Sequence, residues 1–280
     1  MKKLETVGEM QQAAAELRTQ GKTIALVPTS GALHEGHVAL IRAAKARAQA
    51  VVVSLFVNPL QFGPSENYAG YPRTPDADLA KCAELEVDLV FAPGVEAIYP
   101  RGFSTYVIEE AVSKPLCGVS RPAHFRGVTT VLAKLFNIVR PHFVMFGQKE
   151  VQQSAVVRKM IADLHFGVEV VVVPTVREEG GLACDVRNHS MTTNQRTEAL
   201  SIPASLKRAQ EMAAAGVRSA DRIMAEVTHI LSQHRRVRVI YVSIVDSTTM
   251  EAMREVVPGR SLLAIAAWVD EVRLTDNALL

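Results

Sequence analysis

Apolar residues recur along this chain in two rhythms. Short uninterrupted runs, TIALVPT (23–29), AVVVSLFVN (50–58), DLVFAP (88–93), HFVMFG (142–147) and VEVVVVPT (168–175), take turns with longer segments of helical composition. Those segments are GHVALIRAAKARAQA (36–50), a stretch over 76–85, FRGVTTVLAKLFNIVR (125–140) and residues 149–164. Runs that lack polar alternation read as strands buried on both faces, and helix-length connections make such strands parallel with right-handed crossovers. An α/β fold follows for residues 1–175, a Rossmann-like doubly wound parallel sheet. Leu4, Val7, Met10, Ala14 and Leu17 add one face of a surface helix ahead of the first run.

After VPTVREEGGL the rhythm changes. Two alanine-rich helical stretches, 193–215 and 218–234, precede the apolar runs RVIYVSIVD (238–246) and SLLAIAAWVDEVRL (261–274). Residues 176–280 are therefore expected to form a smaller C-terminal α+β domain. No repeat, linker tract or low-complexity segment interrupts the chain.

Composition narrows the partners more than the fold. The 280 residues are 48% hydrophobic, enough for a large core. Lys plus Arg number 31 against 29 for Asp plus Glu, so the formal +2 supplies no basic field for a nucleic acid or a membrane surface. Small anionic ligands stay open. Cys82, Cys117 and Cys184 are odd in number, far apart and without a CxxC, which argues against a disulfide framework and a zinc site and fits a reducing cytoplasm. The N-terminus lacks the apolar stretch of a signal peptide, and no segment approaches the ~20 apolar residues of a membrane span.

In an open parallel sheet, ligands sit beyond the C-terminal strand ends, near the point where strand order reverses. The loop PTSGALHEGH lies at such an end. Backbone N–H groups at the following helix start, with the positive end of its dipole, make an anion site. His34 and His37, three apart, share one helix face and can both reach phosphate oxygens there. A surface pair, or a cap on the helix, is the commoner reading of HxxH alone. A metal reading is weaker still, because no further His or Cys cluster completes it.

HEGH after a first Rossmann strand resembles the HxGH signature of the nucleotidylyl-transferase superfamily. VPTSGALHEGH, SLFVNPLQFGPSENYAGYPRT, SRPAHFRGVTTVLAKLFNIVRP, FGQKEVQQ and VPTVREEGGLA, in this order and spacing, resemble the pantothenate synthetase family, ligases that join pantoate to β-alanine. The likeness covers residues 20–190 in long blocks; the last ~90 residues resemble the family only in length and pattern. It implies ATP with Mg²⁺, an acyl-adenylate intermediate, a C-terminal lid domain and a homodimer through the N-terminal domain. His34 and His37 would contact ATP phosphates, with Lys149 as a point cation and Arg187 completing the catalytic set. Ser30, Gly147, Glu150, Val176, Asp185 and Val186 would line the nucleotide site. Asn58, Gln61, Gln153, His124 and Arg126, with Ser30, would hold the acid, and Asp76 and Asp78 would lie near Mg²⁺. Amide side chains suit a pocket that reads hydroxyl and carboxylate groups. Two carboxylates at a helix start also suit simple caps and dipole partners.

Departures from the family pattern fall at ligand positions. Ser30 stands where the family has Met, which makes the acid pocket larger or wetter. The phosphate loop MSSRNxYL reads CDVRNHSM (184–191), so two serines are replaced by Asp185 and Val186. A carboxylate beside a phosphate is repulsive unless a cation intervenes, so Asp185 recruits a metal, turns away, or weakens ATP binding. Glu150 replaces an Asp, and Ala123 a Gly. Three readings follow: a working pantothenate synthetase, a paralog that activates another small acid or uses another amine, and a non-catalytic nucleotide binder.

Overall fold

The computed structural model describes residues 1–64 and 66–280. Contacts divide them into two units, 1–113 with 121–174, and 114–120 with 175–280. The second unit thus includes a short segment, Lys114–Ser120, from the middle of the chain, which no reading in continuous blocks foresees.

The first unit runs β1 (Lys2–Leu4), α1 (Val7–Thr19), β2 (Ile24–Thr29), α2 (Glu35–Arg47), β3 (Ala50–Leu55), α3 (Pro75–Glu84), β4 (Leu89–Phe91) and α4 (Val95–Ile98). After α5 (Cys117–Ser120), which belongs to the second unit, it continues with α6 (His124–Val139), β5 (Phe143–Gly147), α7 (Val151–Asp163) and β6 (Glu169–Val173). Its strands pair in the order β1-β4-β3-β2-β5-β6, all parallel. Ile24, Ala25, Leu26 and Val27 on β2 are fully buried, as strands covered by helices on both faces must be. Order reverses between β2 and β5, where the chain leaves one half of the sheet for the other.

Register sets the level of the ligand loops. Ala25 lies opposite Phe143 and Thr29 opposite Leu55. Continued along β5, the same register brings Gly147 level with Thr29. The segments after β2, β3 and β5 therefore start from one end of the sheet, side by side.

One expectation fails at the N-terminus. Leu4 belongs to β1, not to a helix, because its backbone pairs with Phe91. Helix α1 starts only at Val7, behind a capping box in which Thr6 and Glu9 satisfy each other's backbone N–H.

The second unit carries α8 (Thr193–Ala199), α9 (Ser201–Ala214), α10 (Ala220–Ser232) and the antiparallel sheet β7 (Val237–Asp246), β8 (Ser261–Val269), β9 (Val272–Leu279). Ile202, Leu206, Ile223 and Val227 from the helices pack with Ile244, Leu263 and Ile265 from the strands. The stretch expected as one helix over 193–215 breaks at Leu200, because Pro203 fits only the first turn of a new helix. The apolar run 261–274 folds back on itself, with Val269 opposite Val272 and Asp270 in the left-handed region at φ 51°. Among the described residues, no helix is long and apolar enough to cross a membrane.

Candidate active site

Helix α2 begins on its own histidines. His34 is the N-cap, its Nδ1 accepting the Gly36 N–H at 3.1 Å, while Nδ1 of His37 accepts the His34 N–H at 3.2 Å. The rings lie 4.1 Å apart, tilted by 44°. This reciprocal capping box corrects one expectation: the N–H groups of His34 and Gly36 are taken by imidazoles and do not form an open backbone site. With Nδ1 an acceptor in each ring, the neutral tautomer carries its proton on Nε2. Capping thus uses the Nδ1 edge of each ring, and the proton lies on the Nε2 edge.

The turn before the helix is held from outside. Gly31 and Ala32 both adopt left-handed conformations, φ 76° and 50°, which converge successive N–H groups on one point. Asp78 of α3 occupies that point, only 4% exposed, its two oxygens accepting from Ala32 N at 2.9 Å and Leu33 N at 2.8 Å. A Cβ at position 31 would come 3.0 Å from Asp78 Oδ2, so glycine suits both the turn and the approach. The expected magnesium pair is therefore divided: Asp78 is bound to the loop, whereas Asp76 is exposed in the first turn of α3. Among the described residues, no group of three or more His, Cys, Asp or Glu is placed to hold a metal ion. Ser30 is half-buried between Thr29 and Gly31.

Beyond β3, Asn58 caps the 3-10 turn Pro59–Gln61 that presents Gln61. It is buried and fully engaged: Oδ1 accepts from Leu60 N at 3.1 Å and from the Tyr99 hydroxyl at 2.9 Å, and Nδ2 donates to Gly127 O at 2.9 Å. Burial pushes the Tyr99 phenol up, so it stays a neutral donor. Helix α6 lies against this turn at Gly127, where a Cβ would be 2.7 Å from Gln61 N and closer still to the Leu60 carbonyl. Asn58 is thus a shaper of the Gln61 turn.

Two residues expected to touch the acid have protein partners. His124 Nδ1 donates to Gln61 O at 3.0 Å and its Nε2 lies 3.3 Å from Arg121 Nη1. Exposed Arg126 stacks on Tyr106, 4.9 Å from the ring centroid. The sequence reading passed over Arg121, which donates to Gln61 O at 3.2 Å and pairs with Glu66 at 2.9 Å. Burial pushes the Glu66 carboxyl up, but the Gly63 N–H and Arg121 outweigh it and hold it below the usual carboxylate range. After β5, Gly147 starts a 3-10 turn that carries half-buried Lys149 and exposed Glu150. Of the adjacent glutamines, Gln152 is buried and donates to Val112 O at 3.1 Å, while Gln153 is half-buried in the first turn of α7.

The remaining candidates belong to the second unit. Val176 O accepts the Cys184 N–H at 2.9 Å and closes the hairpin that leads to the loop. Fully buried Asn188 donates to Ala183 O and to Glu178, which also pairs with Arg196 at 2.7 Å. Asp185, 6% exposed, caps the turn Val186–Ser190 and turns onto its neighbour. Arg187 donates from Nε to Oδ1 at 2.7 Å and from Nη2 to Oδ2 at 2.6 Å, a bidentate fork, and its Nη1 reaches Arg273 O at 2.6 Å.

With that geometry in place, comparison with known proteins decides the family. A family model described as pantoate–β-alanine ligase matches residues 2–279. The chain belongs to this family. Similar to it is a pantothenate synthetase from Thermotoga neapolitana, 48% identical over 280 residues and covering 100% of both chains. One from Geobacter sulfurreducens is 45% identical over 280 residues, covering 100% of this chain and 99% of the relative. A crystal structure of pantothenate synthetase from Thermus thermophilus matches with a TM-score of 0.94 at 40% identity, over 100% of this chain and 99% of that one. The pantoate–β-alanine ligase of Francisella tularensis, complexed with β-γ ATP and β-alanine, matches with a TM-score of 0.82 at 28% identity, over 100% and 97%. Pantoate–β-alanine ligases form an amide bond. Their likeness extends through the C-terminal residues, where the sequence motifs are weakest.

Proposed function

We propose that this chain joins pantoate to β-alanine at the expense of ATP, through a pantoyl-adenylate. The full-length identity to pantothenate synthetases carries the reading. In the first half-reaction a carboxylate oxygen of the acid attacks the α-phosphorus, an O–P bond forms, and the bond to pyrophosphate breaks. His34 and His37 donate from Nε2 to phosphate oxygens, and Lys149 and Arg187 supply cations. Gln61 and Gln153 hold the acid, with Gln61 fixed from behind by Asn58, Arg121 and His124. In the second half-reaction the neutral amine attacks the adenylate carbonyl, a C–N bond forms, AMP leaves, and the surplus proton passes to solvent. Positioning and stabilisation of phosphate charge account for the rate, with no protein nucleophile.

Magnesium enters this reading with the nucleotide. The donor set does not fit a dedicated cage, since Asp78 already binds two backbone N–H groups. An ion bound mainly by phosphate oxygens and water suits such a site. The same reading includes a homodimer formed through the Rossmann-like unit and a cytoplasmic location.

ATP–pyrophosphate exchange tests activation without assuming the amine. Exchange with pantoate, lost in Lys149→Ala, is the expected result; equal activity in that variant removes Lys149 from the site. Ser30 favours a second reading, in which the acid pocket accepts another small hydroxy or amino acid. Exchange with such an acid and none with pantoate establishes it, and silence with every acid leaves a non-catalytic nucleotide binder.

A further inference from the structure

Arg187 is engaged on each of its three guanidinium nitrogens, two of them by a carboxylate two residues away in its own turn. The two partners are unequal. Asp185 is 6% exposed and also accepts the Arg187 backbone N–H at 2.9 Å, so it is fixed by the turn. The Arg187 side chain is 38% exposed and long enough to swing. Together they present no net charge to an approaching polyphosphate.

We propose that Asp185 is an internal competitor for the phosphate at Arg187, so that ATP binds by exchanging one bidentate partner of the guanidinium for another. This rests on the nucleotide-binding reading of Arg187 given above. A carboxylate and a phosphate both match the guanidinium fork, and the two anions repel when they share it. Binding therefore requires the fork to open and the guanidinium to leave the carboxylate. Asp185 raises the ATP concentration needed for half-saturation, and it retakes Arg187 as pyrophosphate departs. The exchange lowers nucleotide affinity and assists product release by the same contact.

Isothermal titration of the full-length protein with Mg·ATP, without acid so that nothing turns over, separates the outcomes. Asp185→Asn keeps an oxygen to cap the turn but removes the charge, and Asp185→Ser serves as a second variant; a thermal melt confirms that each is folded. Removing a half-exposed ion pair should tighten Mg·ATP by about three- to five-fold. The loss of affinity with added salt should steepen, and inhibition by inorganic pyrophosphate should strengthen in parallel. Equal or weaker binding in both variants, with Arg187→Ala also weakened, overturns the competitor and makes Asp185 a positioning residue for Arg187. Wild-type binding in Arg187→Ala overturns the phosphate role of Arg187 itself, and the proposal with it.

Discussion

Asp78 and Asp185 are buried carboxylates, 4% and 6% exposed, each beside a loop that the family resemblance assigns to phosphate. Asp78 reaches its loop from another element, α3, and holds that loop by its backbone, the N–H groups of Ala32 and Leu33, while the Thr74 hydroxyl of its own helix start also donates to it. Asp185 lies within its loop and binds a side chain, the guanidinium of Arg187. The first fixes the shape of the turn that leads into the His34–His37 capping box. The second engages the very group that a phosphate would need. What a buried carboxylate does at an anion site thus depends on whether it holds the frame or the donor.

Breaking the frame should have the largest effect. Asp78→Ala leaves the Ala32 and Leu33 N–H groups without their acceptors, at a cost of about 3 kcal/mol by thermal or denaturant melt. Pyrophosphate exchange should fall on the order of a hundred-fold, because the imidazoles lose their positions. Raising Mg²⁺ should not restore it; restoration would return Asp78 to the metal.

A smaller change probes a rigid frame that involves no aspartate. Gly127→Ala inserts a methyl into the Leu60 and Gln61 backbone, at about 1–3 kcal/mol of stability. The KM for the acid should rise on the order of ten-fold while the affinity for Mg·ATP moves little. An equal loss of both would mean that the Gln61 turn supports the nucleotide side as well.

The mildest test uses pH on the hairpin that precedes the Asp185 loop. Burial raises Glu178, but hydrogen bonds from Asn188 and Arg196 outweigh it and hold its carboxyl below the ordinary value of 4.5. A folded-state pKa below the unfolded one means that the unfolded chain binds the proton first. The stabilisation is thus complete above about pH 4.5 and is lost as pH falls through the folded value. Stability measured against pH should have a shallower acid limb in Glu178→Gln than in the parent, and identical limbs would remove Glu178 from the support of the loop.

Much of this was legible in the chain. Buried strands show as apolar runs because both faces of a parallel sheet are covered, and HEGH shows as a motif because its residues are local. The role of Asp78 was hidden because its partners are 45 and 46 residues away, a separation that leaves no spacing signal. Gly127 reads as an ordinary glycine in an apolar helix until the Leu60 backbone appears against it. Strand β1 is too short to show a period, and the two-residue turn at Asp270 lies inside an otherwise continuous apolar run. At Asp185 the sequence marks the departure but leaves its consequence open. The structure adds the partner that no spacing rule names, the guanidinium of Arg187 two residues on.

The reversal of strand order has a consequence in time as well as in space. Strand β5 pairs with β2, its partner from the opposite end of the unit, and not with β4. The contact that opens this pairing, Ile24 N–H to His142 Nδ1 at 2.9 Å, closes a loop of 118 residues. Such a long-range closure carries a loop-entropy cost that grows only slowly with loop length. During synthesis the histidine turn emerges first, but it lacks its neighbouring lysine segment until the chain has passed residue 149 and β5 has inserted. A chain halted before β5 therefore lacks both the Ile24–His142 contact and the segment that carries Lys149.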